Sequence, residues 1–147
     1  MRSRPSRKPP PWPPAPLVAL IDPHDARHRA ATRALRDEPG RVVTTWAVIT
    51  EALYLLGRGH DPWYGQQPLV ERIGLRGIVV DDFTVDLGAR SLALMQTYAD
   101  VPMSLADASL VALAEQRREL RIVTFDSDFR VYRTGDGQPL VLLDGAG

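Results

Sequence analysis

Carboxylates occur at a predicted helix start and at a predicted strand end in the last third of the chain. Asp107 stands in the opening turn of a helix that begins at Ser104, and Asp126 and Asp128 follow the apolar run 120–125. Ser104 with an acid three residues later has the spacing of an N-terminal capping box. Oxygen ligands of this kind suit Mg²⁺ or Mn²⁺ rather than zinc.

Glu51 adds a fourth acid from another element. It lies within a predicted helix over 46–56, and Val48, Ala52 and Leu55 place it on or beside the apolar face. If the four acids converge, a divalent cation would relieve their repulsion, activate a water molecule and stabilise charge on a phosphate. Each acid also has an ordinary structural explanation, as a surface residue, a helix-dipole partner or a turn former. A plain α/β domain without a metal site is therefore one alternative.

The composition predicts a single globular domain with a basic, proline-rich start. The chain has 147 residues, 44% of them hydrophobic, no cysteine and a formal net charge of zero. The absence of cysteine excludes thiolate metal sites and fits a reducing, cytoplasmic compartment. Residues 1–16 contain four basic side chains, no acid and seven of the 13 prolines. Such a segment is typical of a disordered tail, because proline can neither continue a helix nor pair in a central strand.

Strands alternate with helices through the rest of the chain, which favours a parallel sheet in a three-layer α/β/α sandwich. In such sheets the site lies beyond the carboxyl ends of the strands, where Asp126 falls. Residues 17–21 are apolar but too few to decide between strand and helix. The predicted strands cover 41–44, 77–81, 121–125 and 139–143, and the predicted helices cover 26–37, 46–56, 67–73, 84–98 and a segment from 104.

Four segments, in order, resemble the PIN domain, in particular the VapC-type toxins of bacterial toxin–antitoxin pairs: residues 16–28, 44–53, 105–110 and 122–129. The resemblance implies a parallel five-stranded sheet and metal-dependent cleavage of RNA. It also implies a cognate antitoxin protein and a homodimer as partners. On this resemblance Glu51, Asp107 and Asp126 would be catalytic ligands of Mg²⁺ or Mn²⁺, with Asp128 as a fourth candidate.

The start of the chain departs from the family pattern. The family opens with a hydrophobic strand that ends in aspartate, shortly before a Pro-Leu pair. Here Pro16-Leu17 is in place, and the aspartate position falls on Pro13. We therefore expect a Pro/Arg-rich tail over 1–14, a PIN-like domain over 15–147, and no central strand, with 17–21 as the first helix.

Two interpretations of this departure remain open. Residues 1–14 could be a non-native start that replaces a strand ending in aspartate. Alternatively, the chain is a degenerate, non-catalytic PIN-fold module that retains a surface for an antitoxin or RNA. Asp22 and Asp25 are weak substitutes for the missing ligand, because both lie in the turn after the first helix.

Overall fold

The computed structural model describes residues 8–38 and 41–145, in which helices alternate with short strands. The predicted α/β class is confirmed, and residues 17–21 belong to a helix. The predicted short helix over 67–73 is longer than expected. The elements are α1 Pro14–Ile21, α2 His28–Asp37, β1 Val42–Thr45, α3 Trp46–Leu56, α4 Pro62–Gly74, β2 Ile78–Asp81, α5 Val85–Thr97, α6 Leu105–Arg117, β3 Arg121–Val123, a 3₁₀ turn Ser127–Arg130, and β4 Val141–Leu143.

Side-chain caps fix where the main helices begin. The Thr45 hydroxyl accepts a hydrogen bond from the Val48 N–H at 3.3 Å, and the Ser104 hydroxyl accepts one from the Asp107 N–H at 3.0 Å. Thr84 caps α5 in the same way. Such caps satisfy backbone donors that have no partner inside the helix. The caps predicted at Thr45 and Ser104 are confirmed, and they set the positions of Glu51 and Asp107 along their helices.

The strands form two parallel pairs. β1 pairs with β2, with Val42 opposite Ile78 and Thr45 opposite Asp81. β3 pairs with β4, with Arg121 opposite Val141. β1 and β2 are joined through α3 and α4, whereas β3 and β4 are joined by the 3₁₀ turn and a longer loop, and both connections are long enough for parallel pairing. The expected parallel arrangement is confirmed.

An extended segment around Pro11 and Trp12 lies between these two pairs. The Trp12 N–H donates to the Val43 carbonyl at 2.9 Å, and the Val123 N–H donates to the Pro11 carbonyl at 3.1 Å. Pro11 also forms a parallel bridge with Val43. The Thr44 hydroxyl donates to the Trp12 carbonyl at 2.8 Å. The segment therefore takes the central place in the order β2–β1–segment–β3–β4.

This arrangement differs from the expectation of a disordered tail and a missing central strand. Residues 10–14 are buried, and Trp12 is the largest of the fully buried side chains. Proline cannot donate to a ladder, but here the neighbouring strands and Thr44 supply donors to the segment's carbonyls. Trp12 supplies the one backbone N–H that the run 9–14 has, and β1 accepts it. Residues 1–7 of the predicted tail lie outside the described residues.

Helix α6 forms the centre of the core and carries Asp107. Its side chains from Ala108 to Ala114 are all buried, and it packs against α5, α3 and β1. A helix that is buried on nearly every side cannot shift without disturbing several neighbours. Asp107 is thus held on a rigid element. No helix among the described residues combines the length and hydropathy needed to cross a bilayer.

Candidate metal centre

Asp107 and Asp126 each have their backbone N–H held by a side-chain hydroxyl group. Asp107 is half-buried in the first turn of α6, and its N–H is held by Ser104. Asp126 follows β3, and its N–H donates to the Thr124 hydroxyl at 3.0 Å. The Asp126 Oδ1 accepts the Asp128 N–H at 2.9 Å, which leaves its Oδ2 without a partner of this kind. Both acids are therefore fixed at element ends, as the sequence predicted.

The electrostatics of Asp107 connect it with the other three predicted acids. The pKa of Asp107 is raised to about 6, first because burial disfavours its charge and then because of the charges of Glu51 and Asp126. The hydrogen bond with Ser104 opposes this rise, and Asp128 adds a smaller contribution to it. None of the ion pairs among the described residues involves these four acids. Their negative charge is thus not offset by an ion pair within the described residues.

A buried pair of hydroxyls links the elements that carry Glu51 and Asp107. The hydroxyl oxygens of Thr45 and Ser109 lie 2.7 Å apart. The Ser109 hydroxyl also donates to the Ala106 carbonyl at 2.7 Å, so the Thr45 hydroxyl is the donor to Ser109. This chain joins the first turn of α3 to the first turn of α6. Glu51 is exposed on α3, further along the helix from this link.

The acids do not form a complete ligand set. In the part of the chain that the structure describes, no three aspartate, glutamate or histidine side chains lie close enough to share one metal ion. Pro13 lies just before α1, buried, with extended backbone at φ −70° and ψ 172° and no side-chain cap. By counting from Pro16-Leu17, this is where the family pattern places its first aspartate. The donor chemistry of the acids therefore fits Mg²⁺ or Mn²⁺, and the side chain at position 13 has no oxygen to add to it.

Asp22 and Asp25 are occupied by local turns. The Asp22 Oδ1 accepts the His24 N–H at 2.9 Å, and the Asp25 Oδ1 accepts the Arg27 N–H at 2.8 Å. Asp25 lines a shallow groove together with Asp126, whereas Asp22 lines a different cavity against α3 and α4. Neither contributes to the raised pKa of Asp107. The structure thus gives no support to Asp22 as the missing ligand, and Asp25 remains a weak candidate beside Asp126.

Tyr132 borders the acidic region and was not foreseen from the sequence. Its side chain is fully buried, and its hydroxyl has no hydrogen-bond partner among the described residues. Burial and the charges of Asp107, Asp128 and Asp126 raise the pKa of Tyr132 to about 12. The phenol therefore keeps its proton and remains a donor near the acids. The one signal in the sequence was its position four residues after Asp128.

Comparison with known proteins places this geometry in a family. A sequence model of the PIN domain matches residues 16–134. The structure of VapC20 from Mycobacterium tuberculosis, a Sarcin-Ricin loop cleaving toxin, is similar with a TM-score of 0.70 and 25% identity, over 82% of this chain and 92% of that one. No curated protein sequence matches the chain.

Two further solved structures share the fold at lower identity. A toxin–antitoxin complex from Klebsiella pneumoniae has a TM-score of 0.61 and 22% identity, over 82% of this chain and 89% of that one. VapBC2 from Rickettsia felis, bound to a DNA fragment from its promoter, has a TM-score of 0.62 and 15% identity, over 90% and 95%. With the family match over most of its length, the chain belongs to the PIN domain family.

Proposed function

We propose that the chain is a metal-dependent endoribonuclease of the VapC type, which hydrolyses RNA phosphodiester bonds with activity reduced by the proline at position 13. The observation that carries this proposal is the shared negative region around Asp107, to which Glu51, Asp126 and Asp128 contribute from two other elements. Unpaired carboxylates in one region are costly unless a cation binds among them. The family and the VapC20 likeness supply the reaction class.

Asp107 and Asp126 would hold Mg²⁺ or Mn²⁺, with Glu51 and Asp128 beside them. Bound there, such an ion lowers the pKa of a water molecule and stabilises negative charge on a phosphate. The Asp128 N–H orients one oxygen of Asp126 and leaves the other free to bind. The link between Thr45 and Ser109 fixes α3 against α6, which sets the position of Glu51 relative to Asp107.

Loss of the Asp107 proton is a second requirement for metal binding at this site. With a pKa of about 6, Asp107 is ionised only in part under mildly acidic conditions. A protonated carboxyl group is a poor ligand for a hard cation. The site therefore works best above pH 7, where Asp107 has lost its proton before the ion binds.

A non-catalytic PIN-fold module that binds an antitoxin or RNA is the second candidate function. It is favoured by Pro13, which offers no side-chain oxygen at the first ligand position, and by the incomplete ligand set within residues 8–38 and 41–145. A protein of this kind would keep the PIN fold and the surface that binds the antitoxin or RNA, but it would not cleave RNA.

An RNase assay separates the two candidates. A fluorescently labelled RNA is incubated with Mn²⁺ and the wild-type chain, with Asp107→Ala as the inactive variant and Asp86→Ala as its matched control. Asp86 also lies in the first turn of a helix, but in α5 and away from the acidic region. Cleavage that Asp107→Ala abolishes and Asp86→Ala retains supports the ribonuclease. If neither the wild-type chain nor Pro13→Asp cleaves the RNA, the binding module is the remaining candidate function.

We further propose a cognate antitoxin protein and a second copy of the chain as partners in the cytoplasm. The groove between α1, α3 and α4, about 550 Å³ in volume, is lined by Leu55, Leu56 and Tyr64 and would accept apolar side chains of the antitoxin. The exposed Val85 and Leu92 on α5 would lie in the homodimer interface. Light scattering after size-exclusion chromatography tests the dimer, and a monomer at micromolar concentration would contradict it.

A further inference from the structure

Arg27 is held over the ring of Phe125 at the edge of the acidic region. Its guanidinium carbon lies 5.0 Å from the centre of the ring. The two side chains line a shallow groove of about 430 Å³ with Ala15, Asp25, Asp126 and Ser127. Arg27 is exposed and takes part in no ion pair within the described residues. The ring thus orients a cation next to a proposed ligand without neutralising it.

Helix α2 continues this positive charge away from the acids. Arg29, Arg33 and Arg36 are exposed and recur every three or four residues, so they lie on one face of the helix. With His28 and Thr32 they line a second groove of about 450 Å³. No ion pair among the described residues involves any of the three arginines. We refer to Arg29, Arg33 and Arg36 as the α2 stripe.

The two grooves are connected along the chain, because Arg27 lines the first and the next residue, His28, lines the second. We propose that Arg27 and the α2 stripe form a track for the phosphates of one RNA strand, with Arg27 on a phosphate next to the bond to be cleaved. This inference rests on the proposed function, which supplies RNA as the strand. It adds the direction in which that strand leaves the site.

The negative charge of the acids explains why RNA would need a positively charged track to bind beside them. The acids around Asp107 repel a polyanion, and in this chain they lack the first carboxylate that would help a cation to offset that repulsion. Arginine binds phosphate oxygens through two parallel hydrogen bonds, which a guanidinium held on an aromatic ring can offer with little loss of entropy. Contacts of this kind set position and affinity rather than sequence preference.

Single-stranded RNA suits this surface better than an acidic protein segment does. A strand carries one charge per nucleotide, so its phosphates can follow a row of arginines that begins beside Asp126. An acidic peptide would gain nothing from ending at a cluster of carboxylates. The α2 stripe is continuous with the proposed reaction site, and this continuity is the reason for choosing RNA.

Fluorescence anisotropy of a labelled single-stranded RNA tests the track, with EDTA present so that no metal-dependent cleavage occurs. We compare the wild-type chain with Arg27→Ala and with the triple variant Arg29→Ala, Arg33→Ala and Arg36→Ala. Arg72→Ala is the matched control, since Arg72 is an exposed helical arginine on α4. All these side chains are exposed, so the substitutions should not disturb the fold. Circular dichroism of each variant checks this.

The triple variant should weaken RNA binding by at least tenfold and lower the slope of log Kd against log salt by about 2, at ~0.7 per phosphate contact. Arg27→Ala should weaken binding several-fold, while Arg72→Ala should bind like the wild type. Equal losses for Arg72→Ala and the track variants, or none for any variant, would overturn the proposal. Equally tight, stripe-dependent binding of poly-glutamate would overturn the choice of RNA.

The same variants separate this inference from the proposed function. If neither the wild-type chain nor Pro13→Asp cleaves RNA but binding in EDTA depends on the α2 stripe, the track stands and the ribonuclease fails. If Pro13→Asp cleaves RNA and retains its rate and affinity after Arg27→Ala and after the triple substitution, the track fails and the ribonuclease stands.

Discussion

The hydroxyl oxygens of Thr45 and Ser109 lie 2.7 Å apart inside the core, where the first turn of α3 meets the first turn of α6. Thr45 accepts from the Val48 N–H and donates to Ser109, which donates to the Ala106 carbonyl. Both hydroxyl groups thus have a donor and an acceptor partner, as buried hydroxyls require. The pair therefore couples the helix of Glu51 to the helix of Asp107.

We expect Ser109→Ala to lower the free energy of unfolding by about 1–2 kcal/mol, because it leaves the buried Thr45 hydroxyl without its acceptor. Urea denaturation measures this change. Ser91→Ala is the matched control, since Ser91 is also a buried helical serine, whose hydroxyl bonds only to the Leu87 carbonyl of its own helix. If the two substitutions cost the same, the bond between α3 and α6 contributes nothing of its own.

The raised pKa of Asp107 predicts how stability depends on pH. The unfolded carboxyl group titrates near 3.8 and the folded one at about 6, so between these values the folded chain holds a proton that the unfolded chain has lost. The free energy of unfolding should therefore fall as pH rises from about 4 to about 6, and remain lower above that. After discounting for solvent screening, the penalty is on the order of 1–2 kcal/mol.

Asp107→Asn should remove this pH dependence and raise the melting temperature at pH 8 relative to the wild type. Mn²⁺ should raise the melting temperature of the wild type at pH 8 and leave that of the variant unchanged. Asp86→Asn is the control, because it removes a first-turn acid from α5 and loses only a helix-dipole interaction of ~0.3–1 kcal/mol. Equal behaviour of the two variants in thermal melts would show that Asp107 has no special environment.

Pro13→Asp should increase the rate of Mn²⁺-dependent RNA cleavage by an order of magnitude or more. A tenfold increase in rate corresponds to a reaction barrier that is lower by about 1.4 kcal/mol. The backbone at position 13, with φ −70° and ψ 172°, is one that aspartate adopts readily, and the residue directly precedes α1, where aspartate is a preferred cap. Without metal the extra charge adds to the repulsion at Asp107, so the variant should melt lower in EDTA and gain more from Mn²⁺. Initial cleavage rates and paired melts measure both effects.

Pro13→Asn separates the ligand from the cap. Asparagine also caps helices but adds no charge, so it should leave the cleavage rate close to that of the wild-type chain. A rate with Pro13→Asn as high as with Pro13→Asp would mean that capping of α1, and not a restored ligand, increases the activity.

Local patterns were enough to predict much of this fold. Thr45 and Ser104 were identified as caps because their helices begin with an acceptor followed by an apolar repeat. The position of Trp12 in the sheet could not be predicted in this way. The rule that proline avoids central strands considers only the backbone donors that the segment itself supplies. The neighbouring strands and Thr44 supply the donors here, and only tertiary structure shows that. Arg27 and Tyr132 were missed for the same reason, since their partners are distant in sequence or lie across a turn.

Substitution of Trp12 tests most directly whether residues 8–14 belong to the sheet. Trp12→Ala should lower the free energy of unfolding by about 3–5 kcal/mol, because it empties a fully buried site. Trp12→Phe should cost much less, since it also removes a buried indole N–H that has no partner among the described residues. Trp63→Ala, at a side chain that is 54% exposed, is the control and should stay within about 0.5 kcal/mol of the wild type. Denaturant unfolding of the three variants measures these costs, and a Trp12→Ala variant as stable as Trp63→Ala would place residues 8–14 outside the sheet.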